Sequence, residues 1–144
     1  MSHKLLIALL LVVLGTFLQI IVGNASGLWI NFALAALITA AFFVTVLELA
    51  PLVLFSIFAL SWQPAFSFEL LIFGLLPFAV SLARRLFPFE PWITNFLSLC
   101  ASLFIFNLAF GTDLFFVEPH VFIWDFVASL IFGGIAFWCF SWRK

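Results

Sequence analysis

The chain has 144 residues, of which 67% are hydrophobic and 8% are charged. A soluble domain is about half apolar and a quarter charged, and one this short buries too little surface to hide so many apolar side chains. The composition therefore excludes an ordinary soluble domain and indicates an integral membrane protein. With only five basic residues and a formal net charge of −1, the chain lacks a phosphate-tracking surface, and no nucleic-acid partner is expected.

Six apolar segments follow one another along the chain, roughly at 5–22, 28–46, 49–62, 68–86, 92–110 and 121–140. Most approach the ~20 residues that cross a ~30 Å hydrocarbon core. The third, with about 14 residues, is either a thin tilted span or a re-entrant hairpin. Glu48 and Pro51 mark the break before it. We predict an all-α, polytopic integral membrane protein: a single helical domain over residues 1–144 with six transmembrane helices, the third one short.

The basic residues predict the orientation of these spans. They fall in three places, at Lys4, at the pair Arg84 and Arg85, and at the terminal pair Arg143 and Lys144. Positive charge marks the cytoplasmic side of a membrane protein, and only an even number of spans places both ends of the chain on that side. Six spans therefore put both termini in the cytoplasm. We interpret the first apolar segment as a retained helix, because its apolar run is long for a signal peptide.

Several polar residues lie within the apolar segments, where a polar side chain is energetically unfavourable unless it has a hydrogen-bond partner. Most lie on stripes of small residues at four-residue spacing, such as Gly15, Gln19 and Gly23. Packing of the helices within the bundle explains such stripes. Alternatively, some of the stripes face a partner protein or line a small cavity. Asp125, inside the sixth segment, and Glu48, at a turn, are the strongest candidates for a special polar contact. The full set of candidate partner- or ligand-contact residues is Gln19, Asn31, Glu48, Asn95 and Asp125.

Motifs for catalysis, cofactors and metals are not evident in the sequence. The chain has no phosphate loop, dinucleotide fingerprint, zinc-protease helix or nucleophile elbow. Cys100 and Cys139 stand alone in different apolar segments, and His120 falls in a loop. We therefore expect a protein that is not an enzyme and that has no cofactor and no metal site.

The order of the features resembles that of a known family. The first segment ends in Phe17-Leu18-Gln19, and the second opens with Asn31 before a long aliphatic run. A compact third span leads to a fourth segment that ends in Leu82-Ala83-Arg84-Arg85-Leu86-Phe87, and the chain closes on Arg143-Lys144. In this order, and over most of its length, the chain resembles the MreD family of rod-shape-determining membrane proteins. The S components of vitamin transporters resemble that family in fold.

The resemblance implies a non-enzymatic scaffold in the bacterial inner membrane. Its partners would be membrane lipids and other integral membrane proteins, an MreC-like protein and the peptidoglycan-elongation machinery among them. Two alternatives remain open. One is a small-solute-binding transport subunit like the S components, with a pocket among Trp62, Gln63 and Asp125. The other is an accessory subunit of a different envelope complex.

Overall fold

The computed structural model describes residues 2–27, 30–60, 67–110 and 116–142. These residues form α-helices joined by turns and short irregular segments, with no β-strand among them. The predicted all-α fold is therefore confirmed for the described part of the chain. In chain order the helices are α1 (His3–Ser26), α2 (Phe32–Ala40), α3 (Val46–Leu60), α4 (Phe68–Ala83), α5 (Pro91–Phe110) and α6 (Pro119–Ser141).

Three helices within the described ranges are long and apolar enough to cross a membrane, namely α1, α5 and α6. At 1.5 Å per residue they measure roughly 30 to 36 Å, which matches the thickness of a hydrocarbon core. The apolar helices α3 and α4 have 15 and 16 residues and measure only about 23 Å. The chain is thus a helical membrane protein. Six full spans and the side of each terminus remain predictions.

Helix α2 differs from the predicted second span. It has nine residues, or about 14 Å, and its last residue leads into a turn that ends before α3 begins. Eight of the nine residues are buried, and α2 contacts every other helix of the bundle. A helix that is apolar on all sides is either buried in a protein core or a membrane span, and hydropathy does not separate the two. Residues 33–41 are all buried and form the core of the bundle, with a helix much shorter than the predicted span.

Close approach of α1 to α2 depends on a glycine. A Cβ added at Gly15 would lie 2.9 Å from the backbone oxygen of Phe32, the first residue of α2. Nearby, the Thr16 hydroxyl donates to the Val12 carbonyl at 2.8 Å and lies 3.4 Å from the Ser56 hydroxyl of α3. Small residues at helix contacts replace the hydrophobic effect that is missing inside a bilayer. The predicted small-residue stripe of α1 thus serves packing within the chain.

The break between α2 and α3 lies slightly earlier than Glu48 and Pro51 indicate. Thr45 precedes α3, and its backbone N–H donates to the Glu48 carboxylate at 2.9 Å, while the Glu48 N–H donates to the Thr45 hydroxyl at 3.3 Å. This reciprocal pair is a capping box, which satisfies backbone donors at a helix start. Glu48 therefore has a local role at the beginning of α3, and Pro51 lies inside that helix.

The outer surface of the bundle is apolar. Large side chains such as Leu10, Phe58 and Trp124 are more than half exposed, as expected for residues that face lipid. Trp138 and Trp142, near the end of α6, stack with ring centroids 4.5 Å apart. Trp29 and Trp62 lie outside the described residues.

Candidate functional site

The most polar place inside the bundle surrounds Asp125, in the second turn of α6. Its side chain is only 2% exposed, although it carries a carboxylate. Oδ1 accepts hydrogen bonds from the Asn31 backbone N–H at 2.7 Å and from the Ser129 hydroxyl at 3.1 Å. Oδ2 accepts from the side-chain amides of Asn31 at 2.8 Å and Asn107 at 3.0 Å. Because an ionised carboxylate offers about four acceptor positions, these bonds use its whole capacity.

Asn31 places this carboxylate at the beginning of α2. It is the N-cap residue of that helix, and its own side chain makes no capping bond to the helix backbone. The Asp125 carboxylate instead binds the N-cap residue from α6. The N-terminus of a helix carries about half a positive charge, which stabilises an anion placed there. Among the described residues no cationic side chain neighbours this buried acid, and the helix N-terminus gives it a favourable electrostatic environment.

Gln19 of α1 satisfies another backbone donor at the same helix end. Its Oε1 accepts a hydrogen bond from the Ala33 N–H at 3.1 Å, and the residue is 7% exposed. The first N–H groups of a helix have no partner within the helix and must find one elsewhere. Side chains from α1, α5 and α6 therefore converge on the start of α2. We call Gln19, Asn31, Asn107, Asp125 and Ser129 the Asp125 cluster.

A basic side chain holds the opposite end of α2. Arg84, at the end of α4, donates from its guanidinium to the Ala41 backbone oxygen at 2.6 Å. Ala41 is the C-cap residue of α2. A cation at the negative end of a helix is favourable for the same reason as an anion at its positive end. The short buried helix therefore has an acid at its first residues and a base at its last ones, both supplied by distant parts of the chain.

Asn95 does not belong to the Asp125 cluster. It lies 12 residues before Asn107 on α5, a separation of about 18 Å along the helix axis. The side chain is 3% exposed, and its Oδ1 has no hydrogen-bond partner within the described residues. Asn95 lines a groove of about 200 Å³ between α5 and α6. The remaining walls are apolar and aromatic, and consist of Trp92, Phe96, Leu99, Leu130, Gly134 and Phe137.

The structure thus brings together three of the five candidate residues, Gln19, Asn31 and Asp125, and leaves Glu48 and Asn95 apart. Among the residues predicted to set the topology, Lys4 and Arg85 are exposed and Arg84 is partly buried. Arg143 and Lys144 lie outside the described residues, as do Trp62 and Gln63 of the alternative solute pocket. Within the described ranges no three His, Cys, Asp or Glu side chains lie close enough to hold a metal ion.

Asn107 and Ser129 are not among the candidate residues predicted from the sequence. The Ser129 hydroxyl donates to the Asp125 carboxylate, one helical turn earlier on α6. Asn107 also donates to the Leu103 carbonyl of its own helix at 2.8 Å. A signal for Asn107 was present, because a buried amide in an apolar helix requires a polar partner in a neighbouring helix. The partner that this rule predicts for Asn107 is Asp125, an acid near the start of the next helix.

The chain was compared with protein-family models, with curated proteins and with solved structures, and none of the three comparisons finds a match.

Proposed function

We propose that the chain is a non-catalytic scaffold subunit in a bacterial inner membrane, with a role like that of MreD proteins. In this role it binds other integral membrane proteins of the peptidoglycan-elongation machinery, an MreC-like protein among them. The proposal rests on the resemblance in helix order and motifs described above. The function lies in the outer helix faces, which contact lipid or a partner, and the polar interior serves to hold the bundle in one arrangement.

The observation that carries this proposal is the saturation of the Asp125 carboxylate. Four donors from the chain itself occupy its two oxygens. A base or a ligand-binding acid needs at least one free acceptor position near a substrate. An acid that is fully bonded within the fold has the properties of a structural anchor. This favours the scaffold over the solute-binding alternative, which would use Asp125 to bind its ligand.

A rigid interior suits a scaffold because its outer faces then keep a fixed shape. Partner helices dock by van der Waals packing against such faces, and large exposed residues such as Phe58 and Trp124 supply contact area. Polar candidates such as Gln19 and Asn31 are buried, so they support a partner face from behind and do not touch the partner.

The test is a pull-down of the tagged full-length chain from its native membrane in mild detergent, read by mass spectrometry. An equally expressed and tagged multispan protein of unrelated function is the control. We expect enrichment of an MreC-like coiled-coil protein and of wall synthases over the control. Recovery of transporter ATPases instead, or of no elongation protein, would contradict the scaffold proposal and support a transport subunit or another envelope complex.

A further inference from the structure

A groove of about 200 Å³ runs between α5 and α6. Its walls extend from Trp92 to Leu99 on α5 and from Leu130 to Phe137 on α6. Seven residues of helix measure about 10 Å, so the groove runs along the helix axes for that distance. A Cβ added at Gly134 would meet nothing within 4 Å, which shows that the groove is open at this residue.

The groove also has a polar end. Asn95 lies one helical turn after the beginning of α5 and beside Trp92, whose ring is 58% exposed. Tryptophan favours the membrane interface, which places Asn95, three residues further along α5, about 4.5 Å deeper and near the glycerol region of a lipid. The deeper walls, Leu99 and Leu130, are purely apolar. The groove is therefore polar at the Asn95 amide and apolar at its deeper end. An amphiphilic molecule has the same distribution of polar and apolar groups.

The amide of Asn95 requires a partner that the described chain does not provide. Its Oδ1 is buried and has no hydrogen-bond partner among the described residues, which is energetically unfavourable in an apolar medium. Rotation about the Cβ–Cγ bond exchanges the amide oxygen and nitrogen. The side chain can therefore donate a hydrogen bond to an ester carbonyl in the glycerol region of a phospholipid, or accept one from a headgroup hydroxyl such as those of phosphatidylglycerol.

The connection that leads into α5 carries a net positive charge. The connection that leads into α5 contains Arg84 and Arg85 and a single acid, Glu90, so its net charge is 2 − 1 = +1. Arg84 donates to the Ala41 carbonyl, whereas Arg85 is exposed. The Glu90 carboxylate accepts a hydrogen bond from the Trp92 indole at 2.7 Å.

We propose that the α5/α6 groove binds one acyl chain of an anionic phospholipid, with the lipid's glycerol region hydrogen-bonded to the Asn95 amide and its phosphate attracted by Arg85. A methylene group has about the volume of a water molecule, roughly 30 Å³, so the groove accommodates about seven of them. The site is independent of the scaffold proposal, because it concerns the isolated chain and a lipid.

Native mass spectrometry of the purified full-length chain in detergent tests this site. The protein is titrated with phosphatidylglycerol, which is anionic and has headgroup hydroxyls, and in parallel with phosphatidylcholine, which has neither property. Gly134→Leu places a large side chain in the groove at a position where an added Cβ atom meets no neighbour. Leu10→Phe is the control, since Leu10 is 62% exposed on α1, away from the groove. Thermal unfolding of each variant verifies that it is folded.

We expect the wild type to retain one phosphatidylglycerol in preference to phosphatidylcholine. Occupancy falls at least fivefold in Gly134→Leu and is unchanged in Leu10→Phe. Asn95→Leu lowers phosphatidylglycerol occupancy as well, and Arg85→Gln reduces the preference for the anionic lipid. Equal binding by Gly134→Leu and the control would overturn the site, and equal binding of both lipids by the wild type would overturn its anionic specificity. A dimer that Gly134→Leu abolishes would assign the groove to a second copy of the chain and overturn the lipid.

Discussion

The Asp125 carboxylate accepts two hydrogen bonds from Asn31, one from its backbone N–H at 2.7 Å and one from its side-chain amide at 2.8 Å. The two residues are 94 positions apart in the chain. This pair joins α6 to the N-terminus of α2, a helix of nine residues that is too short to be stable alone. The short helix at the centre of the bundle thus depends on contacts from distant segments.

Two substitutions at Asp125 should distinguish the contribution of its side-chain shape to stability from the contribution of its hydrogen bonds. Asp125→Ala leaves the Asn31, Asn107 and Ser129 donors without their acceptor, and we expect a loss of about 2–4 kcal/mol in unfolding free energy. Asp125→Asn keeps the shape, and the neighbouring asparagine amides can rotate to meet it, so a loss of about 1 kcal/mol is expected. Reversible unfolding in mixed detergent micelles measures both variants. Equal stability of Asp125→Ala and the wild type would show that the cluster does not hold the bundle.

Two glycines of the spanning helices should respond oppositely to alanine. Gly15→Ala places a methyl group 2.9 Å from the Phe32 carbonyl oxygen, which is backbone and yields little. Overpacking of this kind costs about 1–3 kcal/mol. Gly134→Ala meets no neighbour and gains up to about 1 kcal/mol from the higher helix propensity of alanine. Thermal unfolding in one detergent compares the two, and a Gly15→Ala variant as stable as Gly134→Ala would contradict the close α1/α2 crossing.

The two adjacent arginines should differ in their effect on stability. Arg84→Leu removes the donor to the Ala41 carbonyl at the end of α2, and we expect a loss of about 0.5–1 kcal/mol, kept small because Arg84 is partly exposed. Arg85→Leu removes the same charge from an exposed position and should leave stability unchanged. Chemical unfolding curves of the two variants test this, and identical curves would show that the Ala41 bond contributes nothing.

The predicted orientation can be tested with reporter fusions. A reporter active only in the cytoplasm should be active when fused after residues 87 and 144, and inactive after residue 62. The reason is that Lys4, Arg84 and Arg85 mark one side of the membrane and the end of the third apolar segment falls on the other. A partner reporter active only outside the cytoplasm provides the inverse control. Cytoplasmic activity after residue 62 would exclude six spans.

Three polar residues of the Asp125 cluster were easier to predict from the sequence than the lengths and boundaries of the helices that carry them. Asn31 and Asp125 stand out because a polar group in an apolar segment needs a partner. Their mutual contact was not predictable, since it depends on how α2 and α6 pack. The length of α2 was also hidden, because a buried helix and a membrane span are both apolar on every side. The start of α3 was missed by a few residues because the Thr45 and Glu48 capping box was not recognised.

A double-mutant cycle between Asn31 and Asp125 is the most direct test of the claim that this pair anchors the core of the bundle. Asn31→Ala, Asp125→Ala and the double variant are unfolded in the same mixed micelles as the wild type. Asn31→Ala removes the side-chain bond and keeps the backbone one. We expect a coupling of about 1 kcal/mol or more between the two side chains. Additive losses, with a coupling near zero, would contradict the account.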